Sequence, residues 1–325
     1  QWWQRTKHAV NEGQRLGVNI GIFNSPGWSQ SGGPWIKPEE AMRYLVSKTW
    51  MVAGGKNISQ KLEVPYQHFQ DVAVLAFLAS KEAAFNLASL HPQIKSTPQL
   101  SNTTALADND TATAVVLPAK DSVVIDLHTD QPFDARSLSL YPGKQPFAAD
   151  FELLAKAADA GSYTLVRSFN LDRSNPNLNV GPMPFGPVCI AFPKVHAADF
   201  RLVVKNMHNA AALAEIQLSP APRLERYVEK ELGKMHQTPH PMWDAYLWPE
   251  QAATQDTAAL PAASDVRVIS QYLSPDGTLN WEAPAGNWII ERIGMTTTGV
   301  TNAPAAPEAT GLEVDKMSSQ ALKDH

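Results

Sequence analysis

Tryptophan divides this chain more sharply than any other residue type: all nine lie in residues 2–50 or 243–288, and none lies between Met51 and Met242. The middle is therefore a compositionally different object. It reads as β throughout. From about Gln93 to Pro222, short apolar or alternating runs predict strands at Ser122–Leu127, Ser137–Tyr141, Phe151–Ala155, Tyr163–Phe169, Val188–Phe192, Phe200–Lys205 and Ala214–Leu218. Turn signals separate them at the intervals expected of a sandwich.

The flanks have a different grammar. Trp3, Ala9, Val10 and Leu16 fall at roughly helical spacing, and Gly17 follows as a left-handed stop. Val18 to Phe23 reads as a buried strand, Asn24 to Trp35 as a loop too rich in Gly, Pro and Ser for regular structure, and Lys37-Pro38-Glu39-Glu40 as the start of a helix running through Met42, Leu45 and Val46. Helix, strand, long loop, helix is the order of an α/β barrel segment. Strands follow at 58–64 and 71–79, and a Pro-rich connector covers Gln237 to Ala263. Further strands lie around 268–273, 279–281 and 287–293, with a turn at Pro275-Asp-Gly277. The expected organisation is 1–92, first part of a catalytic barrel with an early β insertion; 93–222, an inserted sandwich; 223–265, connector; and 266–325, a β element returning to the barrel.

Composition removes several partners. The formal net charge is −5 and the 27 Lys and Arg are scattered, so no basic field exists for a phosphate backbone. The longest apolar run, Val72 to Ala79, is well short of the roughly 20 residues of a membrane-spanning helix. With one cysteine, Cys189, there is no internal disulfide and no Cys-ligated metal cluster. The chain starts at Gln1, and Met317 to His325 reads as a helix cut partway, so it reads as an internal fragment whose signal peptide is neither visible nor excluded.

Two loops carry candidate chemistry. Asn24 to Trp35 lacks the Gly-Lys-Ser/Thr ending of a phosphate loop. Trp28 and Trp35 framing amides and hydroxyls suit a sugar, an aromatic face covering the apolar side of a pyranose; plugging a barrel end is the structural alternative. In the second loop Glu313 and Asp315 alternate with Leu312, Val314 and Met317, so on a strand both carboxylates would share a face. Neighbouring acids repel, which splits their affinities for a proton as an acid/base pair requires. A Ca²⁺ site, or a solvated edge with Lys316 as counter-charge, fits the same residues.

The runs Ala105–Thr113, Val123–Leu127, Phe200–Val204 and Ala214–Leu218 resemble a galactose-binding-like, discoidin-type sandwich. More specifically Asn24–Met42, then Gly277–Trp281 with Pro284–Trp288, then Gly311–Ser318 resemble, in order and approximate spacing, glycoside hydrolase family 106, the α-L-rhamnosidases. That resemblance implies α/β plus all-β architecture: a partial (β/α)8-type barrel interrupted by a galactose-binding-like β-sandwich. It implies Ca²⁺ dependence and inverting removal of terminal α-L-rhamnosyl groups from polysaccharides or glycosides, by enzymes commonly exported from bacteria. Carried onto this chain, it makes Glu313 the general acid candidate with Asp315 and Lys316 in support, and places Asn24, Trp28, Ser29 and Trp35 around the sugar. Glu313 and Asp315 double as the candidate metal ligands. An inverting pair needs carboxyls roughly 6.5–9.5 Å apart and opposed, so the base is expected beyond His325 and the fragment alone is expected to be inactive. The competing expectation is a non-catalytic carbohydrate-binding β-sandwich protein.

Other candidates are set aside. His236 and His240 have a zinc-site spacing, but Pro239 and Pro241 forbid the helix it needs. Cys189 reads as a small core residue, and Asp108 and Asp110 as turn formers rather than Ca²⁺ ligands.

Overall fold

The computed structural model describes residues 1–21, 31–119, 122–157, 160–174, 183–207, 209–231, 250–251, 253–254, 259–302 and 305–325. Of the sequence candidates, Asn24, Trp28, Ser29, His236 and His240 lie outside these residues. The chain forms two units, one made of Gln1–Arg43 with Thr297–His325, the other of Tyr44–Thr296. Among the described residues no helix is long and apolar enough to cross a membrane.

The first unit begins with α1 (Trp2–Leu16), which ends at Gly17 with φ 68°, where the sequence puts the stop. The strand expected from Val18 does not follow: residues 18–21 are irregular, because the Val18 N–H turns back to the Gly13 carbonyl and closes the helix end. A short strand β1 (Gly32–Gly33) comes next. The helix expected from Lys37 is replaced by a single turn, with Glu40 N–H on the Lys37 carbonyl, before the chain becomes extended. Propagation fails because the next backbone groups are taken by distant partners: Ala41 bridges Val314, and Met42 N–H donates to the Glu313 carbonyl. Local propensity yields to tertiary pairing.

The second unit holds two β assemblies. Strands β2 (Arg43–Ala53), β4 (Gln70–Leu78), β12 (Arg267–Val268) and β14 (Asn287–Thr297) form a sheet in the order β12-β4-β14-β2, while β3 (Lys56–Lys61) pairs antiparallel with β13 (Thr278–Ala283). Their shared core contains Ile58, Leu62, Val74, Ile269, Trp281, Trp288 and Ile290. Two motifs that resemble family 106 are thus spent on structure: Trp281 and Trp288 pack edge to face at 5.2 Å, the Trp288 indole N–H donates to the Pro284 carbonyl, and Gly277 supplies the positive φ of a turn.

The other assembly is seven-stranded: β5 (Gln93–Thr97), β6 (Val115–Leu117), β7 (Ser122–Pro142), β8 (Ala148–Lys156), β9 (Thr164–Asp172), β10 (Val188–Lys205) and β11 (Ala211–Ser219), in the order β6-β11-β7-β10-β8-β9 with β5 also on β7, and the short α2 (Tyr227–Glu231) follows β11. Two expected pairs of strands, 122–127 with 137–141 and 188–192 with 200–205, are single long strands. Register shifts after Ala191 and Ala197 bend β10 where the turn signals were read. Bulges turn a corner without ending the ladder, so both halves face one core that includes Ile125, Leu138, Leu153, Phe200, Leu202 and Ile216. Cys189 is buried as well, as a small apolar residue would be, but on the face opposite its neighbours Val188 and Ile190, which belong to that core.

Candidate active site

The described end of the first loop, residues 31–35, and the acidic segment of the second are neighbours in the first unit. Strand β1 pairs antiparallel with β15 (Leu312–Glu313), Gly32 opposite Glu313 and Gly33 opposite Leu312. Contact this close needs glycine: a Cβ built on Gly32 would lie 2.1 Å from the Leu312 carbonyl oxygen. On the far side, Glu313 N–H donates to the Val300 carbonyl. Asn302, buried, accepts from Gly311 N–H and donates through its side chain to the Ala309 carbonyl. The Glu313 backbone is therefore held from both sides, which fixes where its side chain starts.

That side chain is 18% exposed, and one oxygen, Oε1, is ion-paired with Lys316 Nζ three residues on. Asp315 does not continue the strand. It begins a turn: its Oδ1 accepts from Met317 N–H at 2.9 Å and its carbonyl from Ser318 N–H. The two carboxylates thus do not stand on one strand face, because an Asx turn takes the backbone at Asp315. Ser318 then caps α3 (Ser319–Asp324), whose Ala321 packs with Ile36, Ala41 and Val314.

Trp35 sits in the turn closed by Ile36 N–H on the Gly33 carbonyl, with Pro34 before it. Its ring lies over Gly33, where a Cβ would come within 2.5 Å of it, and its Nε1–H donates to His325 Nδ1 at 2.9 Å. It is nonetheless 55% exposed. A pinned indole with an open face can stack on a sugar, and a half-buried carboxyl can give or take a proton. His325 and Asn302 went unsuspected in the sequence; each acts through residues far along the chain and carries no local signature.

No group of three or more His, Cys, Asp or Glu suited to a metal ion occurs among the described residues. Glu313 is engaged by Lys316 and Asp315 by its own turn, while Asp108 and Asp110 accept from Asp110 N–H and Ala112 N–H respectively. These described residues do not make a Ca²⁺ cage.

Comparison with known proteins adds a family. The family described as alpha-L-rhamnosidase, glycoside hydrolase family 106, matches residues 1–325. The solved structure of a rhamnosidase from Novosphingobium sp. PP1Y superposes with a TM-score of 0.70 at 28% identity, over 97% of this chain and 29% of that one. A Formosa agariphila protein provisionally named a beta-glucuronidase is 39% identical over 84 residues, 25% of this chain and 7% of the relative. The chain thus spans less than a third of either relative's length.

Proposed function

Because the chain belongs to glycoside hydrolase family 106, the α-L-rhamnosidases, we propose that it carries the sugar-binding loop and the proton donor of an enzyme that removes terminal α-L-rhamnosyl groups from glycans or glycosides. The observation that supports this reading is the pairing of Gly32 with Glu313, which sets the Trp35 loop beside the acidic motif although they are nearly the whole chain apart. Trp35 covers the apolar face of the sugar, Asn24, Trp28 and Ser29 line it, and Glu313 protonates the leaving oxygen while Lys316 fixes its carboxyl. Asp315 shapes the turn that brings Lys316 back to Glu313.

Inversion of configuration, a (β/α)8-type barrel around a galactose-binding-like insertion, and an extracytoplasmic location belong to the same proposal. We assign the general base to none of the described residues. Ca²⁺ dependence is carried with it, but the described residues give the ion no ligand set, so no step runs through it.

The test uses the full-length protein and Glu313→Gln on a rhamnosyl disaccharide and on an aryl α-L-rhamnoside with a good leaving group. Proton donation matters where the leaving group is poor, so the variant should lose the disaccharide activity and keep much of the aryl activity. Equal loss on both substrates would make Glu313 a substrate or ion ligand, and no loss on either would refute the assignment.

A further inference from the structure

We infer that His325 is a positioning residue for the Trp35 indole, an inference that rests on the reading of Trp35 as the sugar platform. An exposed tryptophan turns freely unless something holds its edge. Here the face toward the protein lies over Gly33, whose missing Cβ makes the room. The edge is held by His325, with the two rings inclined by 19° and the indole N–H on Nδ1. Indole N–H is a donor only, so Nδ1 accepts and the imidazole is held in one tautomer.

His325 is itself well placed to act as a stop. Its N–H donates to the Ala321 carbonyl at 3.0 Å, which ties it to α3, and α3 is capped at its start by Ser318 and packed through Ala321. The segment running from Glu313 through the Asp315 turn and α3 therefore reaches the Trp35 loop twice, at Gly32 and at the indole. A loop gripped at two points, one of them the indole itself, keeps that side chain in a fixed pose relative to Glu313, so that the sugar it carries meets the proton donor in one orientation.

The experiment compares full-length wild type with His325→Ala, His325→Asn, Trp35→Ala and the double variant His325→Ala/Trp35→Ala, reading KM and kcat on an aryl α-L-rhamnoside. It also reads the fluorine resonance of Trp35 in protein labelled with fluorotryptophan, assigned by its loss in Trp35→Phe. The Asn side-chain oxygen occupies about the place of Nδ1 and can still accept. His325→Ala should shift and broaden the resonance and raise KM about fivefold, the worth of one such hydrogen bond, with kcat little changed. His325→Asn should restore both, and His325→Ala should add nothing in the Trp35→Ala background. A resonance and KM unmoved by His325→Ala, or an Asn variant as poor as Ala, would overturn the inference while leaving the platform intact. A KM unmoved by Trp35→Ala would overturn the platform reading itself, and the role of His325 with it.

Discussion

Gly311 and Gly33 cross so closely that a Cβ built on Gly311 would lie 1.9 Å from the Gly33 carbonyl oxygen. Backbone meets backbone there, so no rotamer change relieves a substitution. Gly311→Ala should destabilise the first unit by about 3 kcal/mol, the upper end of overpacking costs, and should lower activity in proportion. Hydrogen exchange across 297–325 reads this directly. Unchanged protection there would mean the crossing is looser than described.

The Lys316 ion pair with Glu313 predicts a substrate-dependent defect. Lys316→Met removes the charge that orients the carboxyl but keeps the stem that packs beside it. Turnover of a rhamnosyl disaccharide should fall about tenfold, the equivalent of roughly 1.4 kcal/mol, and turnover of an activated aryl rhamnoside by much less. Equal losses on the two substrates would remove Lys316 from any part in proton donation.

How much of this was legible in the sequence depends on the range of the interaction. Gly17 is a local signal, and α1 ends where it says; the helix read from Met317 starts two residues later, at Ser319, after a Ser318 cap that was not singled out. The alternation within 151–155 and 214–218 carries its own strand period and appears inside β8 and β11. Lys37 to Val46 failed because a good helix start says nothing about the Glu313 carbonyl waiting for Met42 N–H. Glu313 and Asp315 stood out, yet their shared face assumed a strand that an Asx turn stops at Val314. The Trp35 and His325 contact spans 290 positions, and nothing near either residue announces it.

In the second unit, Arg292 is a buried cation with three acceptors: Nε and Nη2 hold both oxygens of Asp71 at 2.6 and 2.7 Å, and Nη1 holds the Leu62 carbonyl. Its guanidinium lies over the Phe69 ring. Lysine keeps the charge but not the fork. Arg292→Lys should therefore cost about 2 kcal/mol, near the value of a charge-assisted hydrogen bond in a buried setting, as read by urea unfolding. A cost below about 0.5 kcal/mol, the scale of a neutral surface change, would show that the charge alone suffices.

Glu215 makes the stability of the seven-stranded assembly depend on pH. A register shift between Leu213 and Glu215 accompanies its inward placement on β11, where it is 1% exposed and its Oε2 finds no hydrogen-bond partner among the described residues. Burial pushes its carboxyl up from the ordinary 4.5 to about 7, helped by the charges of Asp108 and Asp110 and opposed by the backbone N–H groups of Asn109 and Asp108. Between those two values the folded chain holds a proton that the unfolded chain has released. Stability from this group is therefore fully present below about pH 4.5, falls as pH rises toward 7, and is flat above, a total on the order of 3 kcal/mol. Urea unfolding at pH 5 and pH 7.5 in chelator should show that drop in wild type. Glu215→Gln, neutral at both pH values, should lose it. A flat wild-type profile together with stabilisation by added Ca²⁺ at pH 7.5 would mean that a cation, not a proton, satisfies Oε2.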